Sequence, residues 1–260
     1  MALARSGAWS PLAAVATSAL AAVPDNVSDA PAAALSTASP TALRSLEVAG
    51  LVLGRRVLII GATGGVGRMA IPLAGASGAV VTAFTRDPTA TCEPLHRLGA
   101  HEVVERIEGD FEVILDGVGG TPFGSAIEHL APGGLLVNLA TPEDDETVTF
   151  RASRFDRSPG ARLYTFDLFD ELARRGGAGQ DLARLGALAA RGRLDAQIEF
   201  EASWREPAAA LRALLERRIG GKAVLHVSSS PVRLADPRSD RAPDHARRKV
   251  SDLRRCRFAQ

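Results

Sequence analysis

A chain of 260 residues, 46% of them hydrophobic, can bury a sizeable core as one or two domains. A formal net charge of +1 argues against a general nucleic-acid binder, and no apolar run approaches the length of a membrane span. The charge is uneven: Ser230 to Gln260 holds nine Lys/Arg against four Asp, a net of +5 that leaves −4 for residues 1–229.

At the amino end, Arg5 precedes an alanine-rich stretch, and Ala19-Leu20-Ala21 has the small residues of a cleavage site. Ser10, Pro11, Thr17 and Ser18 interrupt the apolar region, which argues against a secretion signal. Pro24 to Ser39 reads as an Ala/Ser/Pro/Asp linker with room for short helical turns, and Ser39 to Leu53 begins as a helix before turning at Gly54. Val57, Leu58, Ile59 and Ile60 show no polar alternation, which predicts a strand buried on both faces. The glycine-dense turn Gly61-Ala62-Thr63-Gly64-Gly65-Val66-Gly67 follows, and Val66, Met69, Ala70 and Leu73 then recur at helical spacing.

Strand, glycine turn and helix open a nucleotide-binding βαβ unit, in which backbone N–H groups at the helix start meet a pyrophosphate. Ala62, Gly64 and Gly67 fall on the three positions of G-x-G-x-x-G. Gly64 permits close approach of phosphate, and Gly67 close packing of helix on strand. Any sharp strand-to-helix turn uses glycine, so the turn alone is weak. The second apolar run, Ala79 to Phe84, lies at the spacing of one βαβ unit and strengthens it. Pro72 stands inside the helix, where it removes a hydrogen bond to Arg68 and can kink the axis, at about 3 kcal/mol if uncompensated.

Further on, Thr91 to Leu98 reads as a short helix, Glu102 to Glu105 as a third strand and Phe111 to Leu115 as a fourth. A second glycine turn, Asp116-Gly117-Val118-Gly119-Gly120, leads into a helix over Thr121 to Leu130. Pro132-Gly133-Gly134 is expected to stop that helix before a fifth strand, Leu135 to Ala140. Arg162 to Phe166 is a sixth strand. Asp181 to Arg191 is a helix and Gln197 to Phe200 is strand-like. Ser203 and Glu206 have the spacing of a capping box that opens another helix, and Lys222 to Val227 closes the pattern. The tail beyond Ser228 lacks periodicity and is expected to be disordered. The whole predicts an α/β chain with a doubly wound parallel sheet, whose ligand crevice lies where strands one and four diverge.

The end of the second strand decides cofactor type. An acidic residue there would bind the ribose 2′-hydroxyl of NAD(H) and repel a 2′-phosphate. Here Thr85 offers a hydroxyl and Arg86 a guanidinium, with Asp87 one step beyond, so NADP(H) is preferred over NAD(H). Ordinary solvated charges at Arg86 and Asp87 are the competing reading. Tyr164 is the only tyrosine and has Leu168 four residues later, so the Tyr-x-x-x-Lys pair of short-chain reductases is missing. None of His96, His101, His129, His226 and His245 joins a catalytic cluster, and Cys92 and Cys256 fit no zinc pattern, which suggests a reducing compartment.

Several ordered motifs resemble the zinc-independent, quinone oxidoreductase-like branch of the medium-chain dehydrogenase/reductase superfamily. These are Pro24-Asp25-Asn26-Val27-Ser28, Thr41-Ala42-Leu43, Gly61 to Gly67, Leu98-Gly99-Ala100-His101-Glu102-Val103-Val104, Asp116 to Gly120 and Arg218-Ile219-Gly220-Gly221-Lys222-Ala223-Val224-Leu225. Gly7-Ala8-Trp9 and Leu20 to Asp25 are similar to the end of that family's GroES-like substrate domain, most of which is missing. The resemblance implies four parts: residues 1–38 as remnant and linker, 39–200 as a Rossmann domain, 201–227 as a returning helix and strand, and 228–260 as a basic tail. It places Thr41 near the cofactor, Thr63, Gly64, Gly65, Val66 and Gly67 on the pyrophosphate, and Val118, Leu139 and Ala140 beside the nicotinamide. Lys222 belongs to the returning segment. Pro31 to Arg44 holds no Cys, His, Asp or Glu where zinc-dependent relatives place a ligand, so no metal is expected.

The expected function is an NADP(H)-dependent reductase of quinones or enones, cytoplasmic, without nucleic-acid or membrane partners and compatible with a homodimer. A non-catalytic NADP(H)-binding or regulatory protein is the alternative, and a shortened chain with little activity is a third.

Overall fold

The computed structural model describes residues 1–10, 13–140 and 147–227, together with the backbone of Arg255–Arg257. Strand β1 (Arg56–Ile60) is the axis of the molecule. Its alternate side chains enter opposite layers: Val57 and Ile59 join one apolar cluster, Leu58 and Ile60 the other, and all four are 1% exposed or less. Burial on both faces requires apolar residues at every position, which is why the run shows no alternation.

Six strands run parallel: β1, β2 (Val80–Phe84), β3 (Glu102–Val104), β4 (Phe111–Asp116), β5 (Leu130–Asn138) and β6 (Arg162–Thr165). Their order is β6-β5-β4-β1-β2-β3, so β1 lies between β2 and β4 and the chain reverses direction across the sheet there. Helices α1 (Asp29–Ala34) and α2 (Ala38–Ala49) precede the sheet, and α3 (Gly65–Ala76), α4 (Pro88–Arg97) and α5 (Gly120–Glu128) connect its strands. After the short α6 (Ala152–Phe155) come α7 (Leu168–Arg175) and α8 (Ala178–Ala190). Helix α3 continues on both sides of Pro72. A buried ion pair, Arg44 Nε to Asp181 Oδ2 at 2.6 Å, clamps α2 to α8, and Arg44 also donates to the Gly176 carbonyl at 2.7 Å.

Outside the main sheet, β7 (Ile198–Ser203) pairs in parallel with β8 (Lys222–His226), joined through α9 (Ala208–Leu215). This ribbon corrects one expectation. Ser203 is still paired with His226 as the last residue of β7, so it cannot cap a helix, and α9 starts behind Pro207 without a side-chain cap. A second correction concerns β5, which begins at Leu130 and passes through Pro132-Gly133-Gly134 instead of starting after it. A Cβ on Gly134 would lie 3.0 Å from the Phe111 carbonyl oxygen, so the glycine that reads as a stop lets β5 approach β4. Helix α4 starts three residues earlier than expected because Asp87 caps it, accepting from the Ala90 amide at 3.0 Å.

Strand β9 (Arg255–Arg257) runs antiparallel on β3, so this part of the expected disordered tail is a strand; the rest of that expectation lies outside the described residues. Cys92 on α4 is disulfide-bonded, which a reducing compartment does not imply. Among the described residues no helix is long and apolar enough to cross a membrane.

Candidate functional site

The crevice opens at the carboxyl ends of β1 and β4. A cavity of about 170 Å³ there is lined by Gly61, Gly64, Gly65, Val66, Gly67 and Leu139, among others. Gly61 turns the chain out of β1 with φ +81°, a left-handed conformation that favours glycine. A Cβ on Gly61 would also stand 3.1 Å from Cγ2 of Val118, so the two glycine turns face each other. Gly67 is required for packing: a Cβ there would overlap the Gly61 carbonyl and lie 2.7 Å from Cα of Ala62. Gly64 differs, since its Cβ would meet only the Gly61 oxygen at 3.3 Å.

Gly64 caps α3 without a side chain, its own amide donating to the Gly61 carbonyl at 2.9 Å. The next amides begin the helix and have no intrahelical acceptor, leaving partial positive charge at the cavity. Lys222 adds a full charge. Its ammonium stands over Gly65, where a Cβ would displace it, and among the described residues it has no acceptor or carboxylate partner. Burial, with Arg68 adding repulsion, pushes the Lys222 pKa down to about 8. A half-buried cation with no counter-charge among the described residues is costly, so the site suits an anion that supplies one.

The second turn is closed from within. Asp116, fully buried at the end of β4, accepts from the amides of Val118 at 3.2 Å and Gly119 at 2.9 Å. Leu139 lies next to this turn, its amide donating to the Asp116 carbonyl at 2.8 Å, and Ala140 follows, tied to the Asn138 side chain at 3.1 Å.

Of the remaining expected residues, Thr63 directs its carbonyl at Arg68 Nε, 2.9 Å away. Thr41 lies one turn beyond Ala38, whose Cβ is 3.8 Å from the position of a Cβ on Gly65, and its hydroxyl donates to the Thr37 carbonyl at 2.9 Å. Thr85 is buried and its hydroxyl accepts from the Asp87 amide at 3.3 Å and the Thr91 hydroxyl at 3.2 Å. Arg86 is exposed and has no partner among the described residues, whereas Asp87 is committed to capping α4. The structure therefore gathers Gly64 to Gly67 and Leu139 on one cavity, sets Val118 beside it, and leaves Thr85 and Arg86 at the neighbouring strand end. Tyr164 hydrogen-bonds the buried Glu171, and His226 pairs with Glu201. No three His, Cys, Asp or Glu side chains cluster as metal ligands among the described residues.

Lys222 is the residue that sequence reading undervalued. The available signal was composition: only Lys222 and Lys249 among 31 Lys and Arg are lysines, so one sits at the glycine turn in a chain that otherwise uses arginine.

A reversed strand order with a glycine turn at the reversal places the fold in the doubly wound Rossmann class. The family model described as zinc-binding dehydrogenase matches residues 97–225. The chain is 32% identical over 219 residues to the spectinabilin polyketide synthase system protein NorB of Streptomyces orinoci, covering 79% of this chain and 10% of that protein. It is 37% identical over 127 residues to a 2-methylene-furan-3-one reductase of Solanum lycopersicum, covering 45% of this chain and 31% of the reductase. Mycobacterial Rv1454c complexed with NADPH superposes with a TM-score of 0.70 at 22% identity, covering 81% of this chain and 69% of that one. The quinone oxidoreductase from Coxiella burnetii gives 0.66 at 23% identity, covering 80% and 64%. Over residues 97–225 the chain is thus similar to the zinc-binding dehydrogenase family, and it shares its fold with these oxidoreductase structures.

Proposed function

We propose that this chain forms the cofactor-binding part of an NADP(H)-dependent, zinc-independent reductase acting on electron-poor alkenes or quinones. The observation that carries the reading is the ammonium of Lys222 over Gly65, without an acceptor among the described residues, at the bare start of α3 in the sheet crevice. An anion held there gains the helix-terminal amides and a charge-assisted hydrogen bond together.

Gly64, Gly65, Val66 and Gly67 would hold the pyrophosphate, with Thr63 shaping the turn and Lys222 matching the charge. Arg86 would take the 2′-phosphate, since Asp87 is used as a cap, and Thr85 supports the start of α4 beneath it. Val118, Leu139 and Ala140 would flank the nicotinamide, and Thr41 would border it from α2. When bound, the nicotinamide supplies a hydride to the acceptor. The protein's own residues bind, orient and exclude water. A relative named as a 2-methylene-furan-3-one reductase supports this acceptor class. A cytoplasmic setting and a homodimer belong to the same proposal.

Steady-state NADPH oxidation with a panel of enones and quinones tests the enzyme reading. Saturable, acceptor-dependent turnover supports it. NADPH binding without turnover favours the non-catalytic NADP(H)-binding reading. One observation supports that second reading for the chain alone: before α1, the described residues form a single 3-10 turn, Thr17–Ala19, and one isolated bridge, Ala2 with Leu20, and so supply little wall for a closed substrate cleft.

A further inference from the structure

Arg68 and Glu199 do not line the cavity, yet they join the two parts of the chain that meet there. Arg68 comes from the first turn of α3, and its Nε donates to the Thr63 carbonyl at 2.9 Å. Its Nη1 pairs with one oxygen of Glu199 on β7, and the other oxygen of that carboxylate accepts from the Gly220 amide at 2.8 Å. Gly220 and Gly221 admit this arrangement because they lack side chains. A Cβ on Gly220 would lie 2.6 Å from Arg68 Nη2, and one on Gly221 would overlap the Gln197 carbonyl. The same carbonyl accepts from the Lys222 amide at 2.7 Å. The Gly220 amide is thus tied to the ion-paired Glu199, and the Lys222 amide to the neighbouring Gln197 carbonyl, so β7 fixes the segment that carries Lys222.

We propose that Arg68 and Glu199 are positioning residues, a latch that holds the β7–β8 ribbon against α3 and so sets Lys222 over the glycine turn. The latch rests on the dinucleotide reading of that turn, because its purpose is to deliver a cation to a phosphate. It also sets the charge around the ammonium. Arg68 faces Lys222 from α3, and Glu199 offsets Arg68 from β7. Glu201 on β7 is taken by His226 of β8, α1 carries the exposed Asp29 in its first turn, and α2 presents the uncharged Ala38. Removing either latch residue therefore changes Lys222 in opposite directions. Loss of the Glu199 charge leaves Arg68 uncompensated and disfavours the ammonium, whereas loss of the Arg68 charge favours it.

The test uses the full 260-residue chain. Lys222 and Lys249 are its only lysines, so trace acetylation across pH followed by peptide mass spectrometry reports Lys222 separately, without any cofactor. The expected midpoint falls in Glu199→Gln and rises in Arg68→Leu. NADPH titration supplies the second readout: Glu199→Gln weakens binding about tenfold, and it adds nothing further in a Lys222→Met background. Simple structural loss would move both midpoints the same way or leave them unchanged, and would make the two affinity losses additive; either result overturns the latch. Glu199→Asp, which keeps the charge, tests the same point if Glu199→Gln does not fold, and should leave the midpoint near that of the parent chain. A parent chain that binds no NADPH would overturn the dinucleotide reading, while the labelling midpoints would still decide the latch.

Discussion

The chain contains two glycine turns at the carboxyl ends of adjacent strands, and they behave differently. The turn after β1 leaves its helix amides facing a cavity beside an ammonium that no carboxylate among the described residues pairs. The turn after β4 has a comparable density of glycine, but the Asp116 carboxylate already accepts from two of its amides. A buried carboxylate both fills the donors and repels an anion, so the second turn is a structural corner that presents Val118. Glycine spacing does not make an anion site; unfilled donors with nearby positive charge do.

The contrast can be broken from either side, and the largest effect is expected at Gly67. A valine there would drive α3 away from Gly61 and Ala62, so Gly67→Val should cost about 3 kcal/mol or more, seen as loss of the cooperative transition in urea. On the second turn, Asp116→Ala strips the acceptor from two N–H groups in a buried place and should cost about 2–3 kcal/mol in the same assay.

Lys222→Met sharpens the comparison by removing the charge alone. It should stabilise the cofactor-free chain by about 1–2 kcal/mol at pH 7, raising Tm by a few degrees, while weakening NADPH about tenfold. The sign follows from the depressed pKa of about 8, against an ordinary 10.5. Below pH 8 the folded chain keeps a half-buried ammonium that the unfolded chain solvates better. Between about pH 8 and 10.5 the folded chain releases that proton first, so its stability rises through this window. NADPH affinity should fall over the same rise, as the cation is lost. The smallest effect is expected at Arg86→Ala, an exposed side chain: about tenfold on NADPH and little on NADH, measured by titrating both. Equal losses would remove Arg86 as the reader of the 2′-phosphate.

How much of this was legible depended on the range of the interactions. The β1–α3 unit was readable because two-sided burial writes a contiguous apolar run and the turn follows at once. Helix α4 and strand β5 were misplaced at their starts, because Asp87 acts as a cap and Gly134 as a point of close approach, two roles that depend on neighbouring chain. Ser203 and Glu206 matched a capping pattern that strand pairing with His226 overrode. Lys222 reaches the turn only through the ribbon that folds back more than 150 residues later, so no local pattern could assign it. Arg68 and Glu199 were invisible for the same reason.

The most direct measurement compares NADPH binding by the parent chain and Gly64→Val, following cofactor fluorescence, with circular dichroism as the check on folding. Only the Gly61 oxygen, at 3.3 Å, stands near a Cβ at position 64, so the variant should retain its spectrum. The parent chain is expected to bind NADPH saturably at one site and the folded variant to lose binding at least tenfold. Unchanged affinity in a folded Gly64→Val chain would place the cofactor away from the glycine turn and contradict the account.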